Sequence, residues 1–139
     1  MFFINIIYTN YVKEIVINGN IKTKSSVIYR NIKHPVNSPF NIDIAKNDQE
    51  SLKKLECFEN VSIENKDSLY QVYVVEKPAV TFLPLIDKKD GIGWAGGLNF
   101  NFNNVRGKTN RLYSTILFGD IKKYNIEYID RKLVKSKYQ

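Results

Sequence analysis

Residues 91–103 read GIGWAGGLNFNFN, and this stretch decides the fold of the second half of the chain. Its first six letters match G-x-G-x-x-G, the dinucleotide-binding pattern, which needs a helix directly after the third glycine. A period of two follows instead, since Trp94, Leu98 and Phe100 alternate with small or amide side chains. The alternation predicts a strand with one apolar face and one polar face. Two kinds of sheet contain such strands: a wall between lipid and water and the half-buried sheet of a soluble sandwich.

Beyond residue 78 no helical period is present, and strand-like runs are separated by turn residues. The predicted strands are Ala79–Ile86, Ile92–Asn103, Thr109–Phe118 and Tyr124–Asp130. They predict an antiparallel meander of three or four strands, close to the ~9–11 residues of bilayer-spanning β-strands. Even the smallest bacterial barrels have about eight strands, so this meander has too few strands to close into one, and a barrel would require that the chain is part of a longer or truncated protein.

The net charge of +7 is concentrated in the second half of the chain. Residues 1–78 carry 10 basic and 9 acidic side chains, a net of +1, whereas residues 79–139 carry 11 and 5, a net of +6. A basic half is compatible with a small soluble scaffold that binds nucleic acid or acidic partners. The basic residues lie mainly in turn-like clusters, however, and no helix presents them to a groove. We therefore expect no nucleic acid partner and keep the scaffold as the alternative.

Residues suited to catalysis do not cluster in the sequence. Cys57 is the only cysteine, which excludes an internal disulfide and a cysteine-based metal site. His34 lies in a proline-bounded loop, and we predict a solvated loop residue rather than a base or a ligand. No nucleophile–base motif or calcium loop is present. We expect no enzyme activity, no cofactor and no metal.

The first half predicts the order strand, helix, helix, strand, strand, which makes an α+β domain. The first strand covers Tyr11–Asn18 and ends at a Gly-Asn turn signal. Thr23 is the predicted cap of a short helix that ends near Asn31. Residues 1–10 are an apolar start, either the remnant of an export signal or an extension of the first strand.

A second helix and a hairpin complete this domain. Asn41 is one candidate cap for a helix to about Leu55, and a capping box at Asn47 offers a later start. The predicted buried side of this helix is formed by Ile42, Ala45, Leu52 and Leu55. The predicted hairpin strands are Phe58–Glu64 and Leu69–Glu76, joined by residues 65–68. The boundary at Lys77-Pro78 divides the chain into residues 11–78 and residues 79–139.

Several segments, taken in order, resemble a known family. They are Ile15–Thr23 (IVINGNIKT), Leu52–Val61 (LKKLECFENV) and Val72–Pro78 (VYVVEKP). They resemble three segments of a POTRA (polypeptide-transport-associated) domain. The first is a strand followed by a Gly-Asn turn, and the second is a leucine-bearing helix that leads through a short turn into a strand. The third is the closing strand, which ends in Glu-x-Pro. Cys57 and Asn37-Ser38 stand where this family commonly has glycine. From Gly91 onward the chain is similar to the first strands of the bacterial surface antigen barrel, which belongs to the outer-membrane assembly and translocation superfamily.

The resemblance implies both a fold and a function. The fold is an α+β POTRA domain (β-α-α-β-β) followed by antiparallel β-strands of an incomplete transmembrane β-barrel. The function is non-enzymatic outer-membrane protein assembly or translocation, with the first domain in the periplasm and the strands in the outer membrane. The implied partners are unfolded outer-membrane polypeptides, outer-membrane lipid and other subunits of an assembly complex.

Strand addition to an open sheet edge is the physical basis for binding such clients. We predict the open edge on the strand Phe58–Glu64, with Val61 and Ile63 facing the helices. The client-binding residues are then Asn60, Val61, Ser62, Ile63 and Glu64. The alternative is an ordinary exposed edge that Glu59 and Glu64 blunt.

Pro84 and the aromatic residues are candidates in the second half. Proline cannot donate to a ladder and is tolerated in edge strands, so Pro84 would lie at the seam where a barrel closes. The alternative is a proline that simply ends a short strand. The candidates for interfacial aromatic girdles are Trp94, Tyr113, Tyr124 and Tyr128.

Overall fold

The computed structural model describes residues 11–130. They divide into two compact units, with the division between Glu76 and Lys77. The two interpretations of residues 1–10, a signal remnant and a strand extension, lie outside the described residues. No helix within residues 11–130 is long and apolar enough to cross a membrane.

The first unit combines a three-stranded sheet with two helices. Its elements are β1 (Tyr11–Val12), β2 (Glu14–Asn18), α1 (Ser25–Tyr29), β3 (Ser38–Pro39), α2 (Ile42–Lys53), β4 (Phe58–Lys66) and β5 (Leu69–Glu76). The sheet order is β2-β5-β4, in which β2 is parallel and β4 antiparallel to the central strand β5. β1 and β3 form a separate short antiparallel pair. The predicted β-α-α-β-β order is confirmed.

One apolar core holds this unit together. Side chains of both helices and of the sheet meet in it, among them Ile28, Leu52, Val61 and Tyr70. Full burial of an aliphatic side chain stabilises by about 1.5–3 kcal/mol. An isolated helix as short as α1 is not stable in water, so contacts in this core hold α1 in place.

The start of the first unit differs in detail from the prediction. The strand predicted over residues 11–18 is interrupted at Lys13, whose N–H donates to the carbonyl oxygen of Ser68 at 2.8 Å. The residue that caps α1 is Lys24, and its side chain makes no capping hydrogen bond. The predicted Thr23 cap is therefore wrong, and Thr23 is buried instead.

The second helix begins where the first of the two candidate caps predicts. The side chain of Asn41 accepts hydrogen bonds from two backbone N–H groups in the first turn of α2, so Asn41 rather than Asn47 is the cap. Ile42 is 59% exposed and does not belong to the buried side. Asp48 is fully buried and does belong to the buried side. The apolar pattern alone could not assign a charged residue to the core side.

At three turns of the first unit, residues other than glycine adopt the left-handed backbone conformation. Asp67 and Ser68 have φ of 53° and 63°, which is typical of a two-residue type I′ hairpin. The turn therefore has two residues rather than the four predicted. Asn37 has φ of 57°, as expected for an asparagine in place of a glycine. Beside Cys57, the left-handed residue is Glu56, also with φ of 57°. Cys57 therefore carries no left-handed strain.

The second unit is a four-stranded antiparallel meander, as predicted. Its strands are β6 (Val80–Lys89), β7 (Gly93–Val105), β8 (Asn110–Gly119) and β9 (Lys123–Ile129). Their order in the sheet is β6-β7-β8-β9. The glycine pattern in residues 91–96 runs into strand β7 rather than into a helix, which excludes the dinucleotide interpretation.

Cross-strand register gives this sheet two contrasting faces, since residues in register lie on the same face. The apolar face carries Val80, Phe82, Pro84, Ile86, Lys88, Trp94, Gly96, Leu98, Phe100, Phe102, Leu112, Ser114, Ile116, Phe118, Tyr124, Ile126 and Tyr128. The polar face carries Thr81, Leu83, Leu85, Asp87, Lys89, Gly93, Ala95, Gly97, Asn99, Asn101, Arg111, Tyr113, Thr115, Leu117, Gly119, Lys123, Asn125, Glu127 and Ile129. The alternation predicted for single strands therefore extends across all four.

Two side chains on the polar face are almost fully buried. Ala95 and Leu117 are only 3% and 4% exposed. A Cβ at Gly97 would lie 1.9 Å from the carbonyl oxygen of Ile116 and 2.8 Å from the Leu117 side chain. Glycine at this position lets Leu117 lie across β7, and small residues of this kind permit a sheet to curl.

Candidate functional site

Strand β4 forms one edge of the three-stranded sheet and contains all five predicted client-binding residues. Val61 is buried and Ile63 packs against the core. The side chains of Asn60, Ser62 and Glu64 are exposed. Their predicted orientations are confirmed, whereas client binding at this edge stays a prediction.

The register shows which backbone groups of β4 point away from the sheet. Lys66 and Leu69 flank the two-residue turn, and in such a hairpin this pair exchanges both of its hydrogen bonds. Bonded and non-bonded pairs alternate along an antiparallel ladder. Every second residue before Lys66 therefore bonds to β5, while Val61, Ile63 and Asn65 direct their N–H and C=O groups to the open edge.

One of these outward groups is already bonded. The side chain of Gln49, on α2, donates from Nε2 to the carbonyl oxygen of Val61 at 2.6 Å. This bond is independent evidence that the Val61 carbonyl points away from β5. Sequence reasoning missed Gln49, because only the packing of α2 against β4 brings its side chain to the edge.

The N-terminal end of the same edge is irregular. The register with β5 shifts between Phe58 and Asn60, which places a bulge at Glu59. A bulge twists an edge and discourages uncontrolled pairing with other strands. The edge is thus blunted at Glu59 and regular from Asn60 to the turn, and client binding along it is not tested by this geometry.

Strand β6 forms an edge of the second sheet, and Pro84 lies inside it rather than at its end. The N–H of Asn103 donates to the carbonyl oxygen of Ala79 at 2.8 Å, so odd-numbered residues of β6 bond to β7 and even-numbered residues face the open side. Pro84 therefore presents a carbonyl and no N–H to the open edge. The interpretation of Pro84 as a strand end is wrong, and its place at a seam stays a prediction.

The apolar face of the second unit is largely exposed. Five aromatic side chains on it are between 53% and 65% exposed: Phe82, Trp94, Phe118, Tyr124 and Tyr128. At one end of this face the Lys88 ammonium lies 5.2 Å from the centre of the Trp94 ring, and Tyr128 lies at the other end. Tyr113 was predicted to join an aromatic girdle, which is wrong because it pairs with Asn101 and Glu127 on the polar face.

Two residues of the POTRA-like segments have structural roles. Glu76 accepts hydrogen bonds from the backbone N–H groups of Lys22 and Thr23 at 2.7–3.1 Å. Burial alone would raise the pKa of Glu76, but the hydrogen bonds from Thr23 and Lys22 outweigh it and lower that pKa. Gly19 has φ of 88°, and a Cβ there would lie 2.0 Å from the carbonyl oxygen of Val74. Gly19 thus permits the loop after β2 to lie against β5, and Glu76 holds that loop to the end of β5 by hydrogen bonds.

His34 is 4% exposed, so the prediction of a solvated residue is wrong. Its Nε2 accepts from the Asn41 N–H at 3.0 Å, and its Nδ1 lies 2.9 Å from the carbonyl oxygen of Pro35. Since Nε2 accepts, the hydrogen bond to Pro35 is donated by Nδ1.

Asp48 completes this buried network. It accepts from the N–H groups of Lys33 and His34 and from the Tyr70 hydroxyl, at 2.8–3.1 Å. Burial and the bond to Asp48 raise the pKa of Tyr70. The network fixes the loop between the helices. Within residues 11–130, no three His, Cys, Asp or Glu side chains are grouped to hold a metal ion.

One family model and two solved structures are similar to parts of this chain. Residues 10–77 match the family model of the POTRA domain, described as a surface antigen variable number repeat. The solved structure of BamA from Haemophilus ducreyi lacking POTRA domains 1–3 is similar with a TM-score of 0.58 and 16% identity, over 78% of this chain and 22% of that one. CdiB from Acinetobacter baumannii is similar with a TM-score of 0.46 and 14% identity, over 77% and 22%. No curated protein matches the sequence.

The similarity to BamA is one of fold. The chain spans 22% of the length of each of the two solved structures. Its four β-strands after residue 79 do not close into a barrel within the part of the chain that the structure describes. Residues 10–77 match the POTRA family model, and the antiparallel strands that follow are similar in fold to the solved BamA structure.

Proposed function

We propose that this chain is a non-enzymatic component of outer-membrane protein assembly or translocation. Residues 11–78 act as a periplasmic POTRA domain, and residues 79–139 supply the first three or four strands of an outer-membrane barrel. Unfolded outer-membrane polypeptides are the clients, and outer-membrane lipid and other assembly subunits are further partners. The family match and the similar barrel fold support this proposal.

The observation that carries the proposal is the continuous apolar face of the second unit. Buried aromatic side chains cover about 150–250 Å² each, so the five exposed aromatics present roughly 400–800 Å² to solvent. Exposed aliphatic side chains, namely Val80, Ile86, Leu98 and Ile126, enlarge this surface. The largest apolar patch on a soluble monomer is about 300–600 Å². A face of this size is therefore suited to lipid rather than to water.

The length of the apolar face also fits a bilayer. Trp94 and Phe102 mark its two ends on β7, and a strand rises about 3.4 Å per residue, which gives about 27 Å between them. Barrel strands tilt by about 35–45°, so the height of the face is about 20 Å, close to the ~25 Å apolar band of outer-membrane barrels. The polar face would then line the barrel interior.

Strand addition to β4 explains how clients of many sequences would bind. An incoming extended chain bonds to the outward N–H and C=O groups of Val61, Ile63 and Asn65, and those bonds do not depend on client side chains. At the other edge, a strand that docks against β6 finds no donor at Pro84. One missing hydrogen bond is worth about 0.5–1.5 kcal/mol, which lowers the cost of opening a seam there.

A titration by NMR tests the client site. The full chain in zwitterionic detergent micelles is titrated with a peptide copied from β8 (Asn110–Gly119), which serves as a model client. We expect amide shifts in β4 and none in β2, the strand at the opposite edge of the sheet. A control peptide with proline at alternate positions lacks the donors and should not bind. Shifts absent from β4 would reject the site.

A further inference from the structure

The hydrogen bond between Gln49 and Val61 occupies part of the edge to which a client would bind. The Val61 carbonyl is one of the outward groups of β4, and the Gln49 amide lies 2.6 Å from it. A client strand that pairs along the whole regular edge would place its own backbone N–H at this position. Gln49 and the client therefore compete for one acceptor.

The groups that stay open define a short run. The bulge at Glu59 limits the edge on one side, and the turn at Asp67 limits it on the other. Between them, the Val61 carbonyl is bonded to Gln49, and within residues 11–130 this leaves the outward groups of Ile63 and Asn65 and the Val61 N–H open. A client can pair with this run first, and it gains the remaining acceptor only when the Gln49 side chain leaves.

We propose that Gln49 is a latch that determines the affinity and pairing length of client strands on β4. This inference rests on the proposed function. Gln49 lies on the fixed helix α2, so its amide is held at the edge in the absence of a client and displaced when a long strand binds. The latch lowers the affinity of every full-length client by the cost of breaking one neutral hydrogen bond, which corresponds to about 2- to 10-fold. A client that pairs only with the open groups is not subject to this cost.

Matched substitutions of α2 test the latch. The full chain in detergent micelles is titrated with the β8 peptide (Asn110–Gly119) as wild type, Gln49→Ala, Gln49→Glu and Glu50→Ala. Gln49→Ala removes the donor, and Gln49→Glu keeps the shape but cannot donate. Both should bind the peptide about 2- to 10-fold more tightly. Glu50→Ala, an exposed neighbour on the same helix, should not change the affinity.

A second measurement uses the unaltered protein and so does not depend on how well a variant folds. The side-chain amide protons of Gln49 should exchange slowly with solvent in the free chain and faster at peptide saturation. Equal affinity of wild type and both Gln49 variants, or unchanged exchange with peptide bound on β4, overturns the latch and leaves the client site standing. Failure of every variant to show shifts in β4 overturns the client site and the latch together.

Discussion

Ile126 and Asn125 are neighbours on β9 that face opposite sides of the sheet, and their replacement by lysine distinguishes a lipid-facing wall from a surface in water. Ile126 is 75% exposed on the apolar face. Asn125 is exposed on the polar face. In a soluble protein each substitution changes only an exposed side chain, and both should stay within about 0.5 kcal/mol of wild type.

In lipid the two lysine substitutions should differ in free-energy cost. The register places Ile126 in the row of Phe82, Phe100 and Ser114, next to the row that ends at Tyr128. It therefore lies about 7 Å along the strand from the end of the apolar face. A lysine facing lipid costs about 2–4 kcal/mol at the bilayer midplane and about 0–1 kcal/mol at the interface. For Ile126→Lys we expect about 2 kcal/mol, which is about 30-fold in a partition coefficient.

The fluorescence of Trp94 reports on partitioning into lipid, because Trp94 is the only tryptophan and lies on the apolar face. The full chain is diluted from urea into zwitterionic vesicles, and the blue shift of Trp94 emission against lipid concentration gives the partition coefficient. Zwitterionic lipid avoids attraction between the added lysine and anionic headgroups. We expect a loss of about 30-fold for Ile126→Lys and less than about 3-fold for Asn125→Lys. Equal partitioning of the two variants would refute a lipid-facing apolar surface.

Three further substitutions test other parts of the molecule. Gly19→Ala places a Cβ 2.0 Å from the Val74 carbonyl oxygen at φ of 88°. The free energy of unfolding of the first domain, measured in urea, should therefore fall by more than about 2 kcal/mol. The control Gly96→Ala, whose Cβ would meet nothing within 4 Å, should leave this unfolding transition unchanged. The pKa of Glu76 is lowered in the folded protein, so its contribution to stability is present above the usual carboxyl pKa and is lost as pH falls through the lowered value. Wild type should accordingly lose more stability than Glu76→Gln between about pH 5 and pH 2, and equal losses in urea titrations would contradict the role of this carboxylate. Pro84→Val restores a donor on the open side of β6 and, in a complete barrel that carries these strands, should slow client insertion by about 2- to 10-fold; an unchanged rate would count against a seam at this proline.

Periodicity and turn residues were enough to predict most of the fold. The alternation in GIGWAGGLNFNFN and in the later strands predicts faces that the register of all four strands confirms. The Asn41 cap and the orientation of Val61 and Ile63 follow from equally local patterns. The same period of two contained the signal that Tyr113 lies on the polar face, since it alternates with the apolar Leu112.

Long-range contacts account for the features that sequence reasoning missed. His34 is buried because Asp48, 14 residues away, accepts the His34 backbone N–H, while the His34 ring bonds to the Asn41 N–H. Thr23 fails as a cap because Glu76, 53 residues later, bonds to it instead. Gln49 reaches the β4 edge only through the packing of α2 on the sheet. No local pattern contains information on such partners, because each bond joins segments that come together only in the folded domain.

Paramagnetic broadening from a lipid-soluble spin label gives the most direct test of whether the second unit forms a wall between lipid and water. The full chain in zwitterionic micelles carrying a doxyl-labelled fatty acid should show strong broadening of side-chain signals from Leu98, Phe100 and Ile116. Signals from Asn99, Asn101 and Thr115, their neighbours on the polar face, should respond instead to a water-soluble gadolinium chelate. Equal broadening of both sets, or a monomer in plain water that keeps the first set shielded from every probe, would contradict the membrane wall and favour a soluble scaffold.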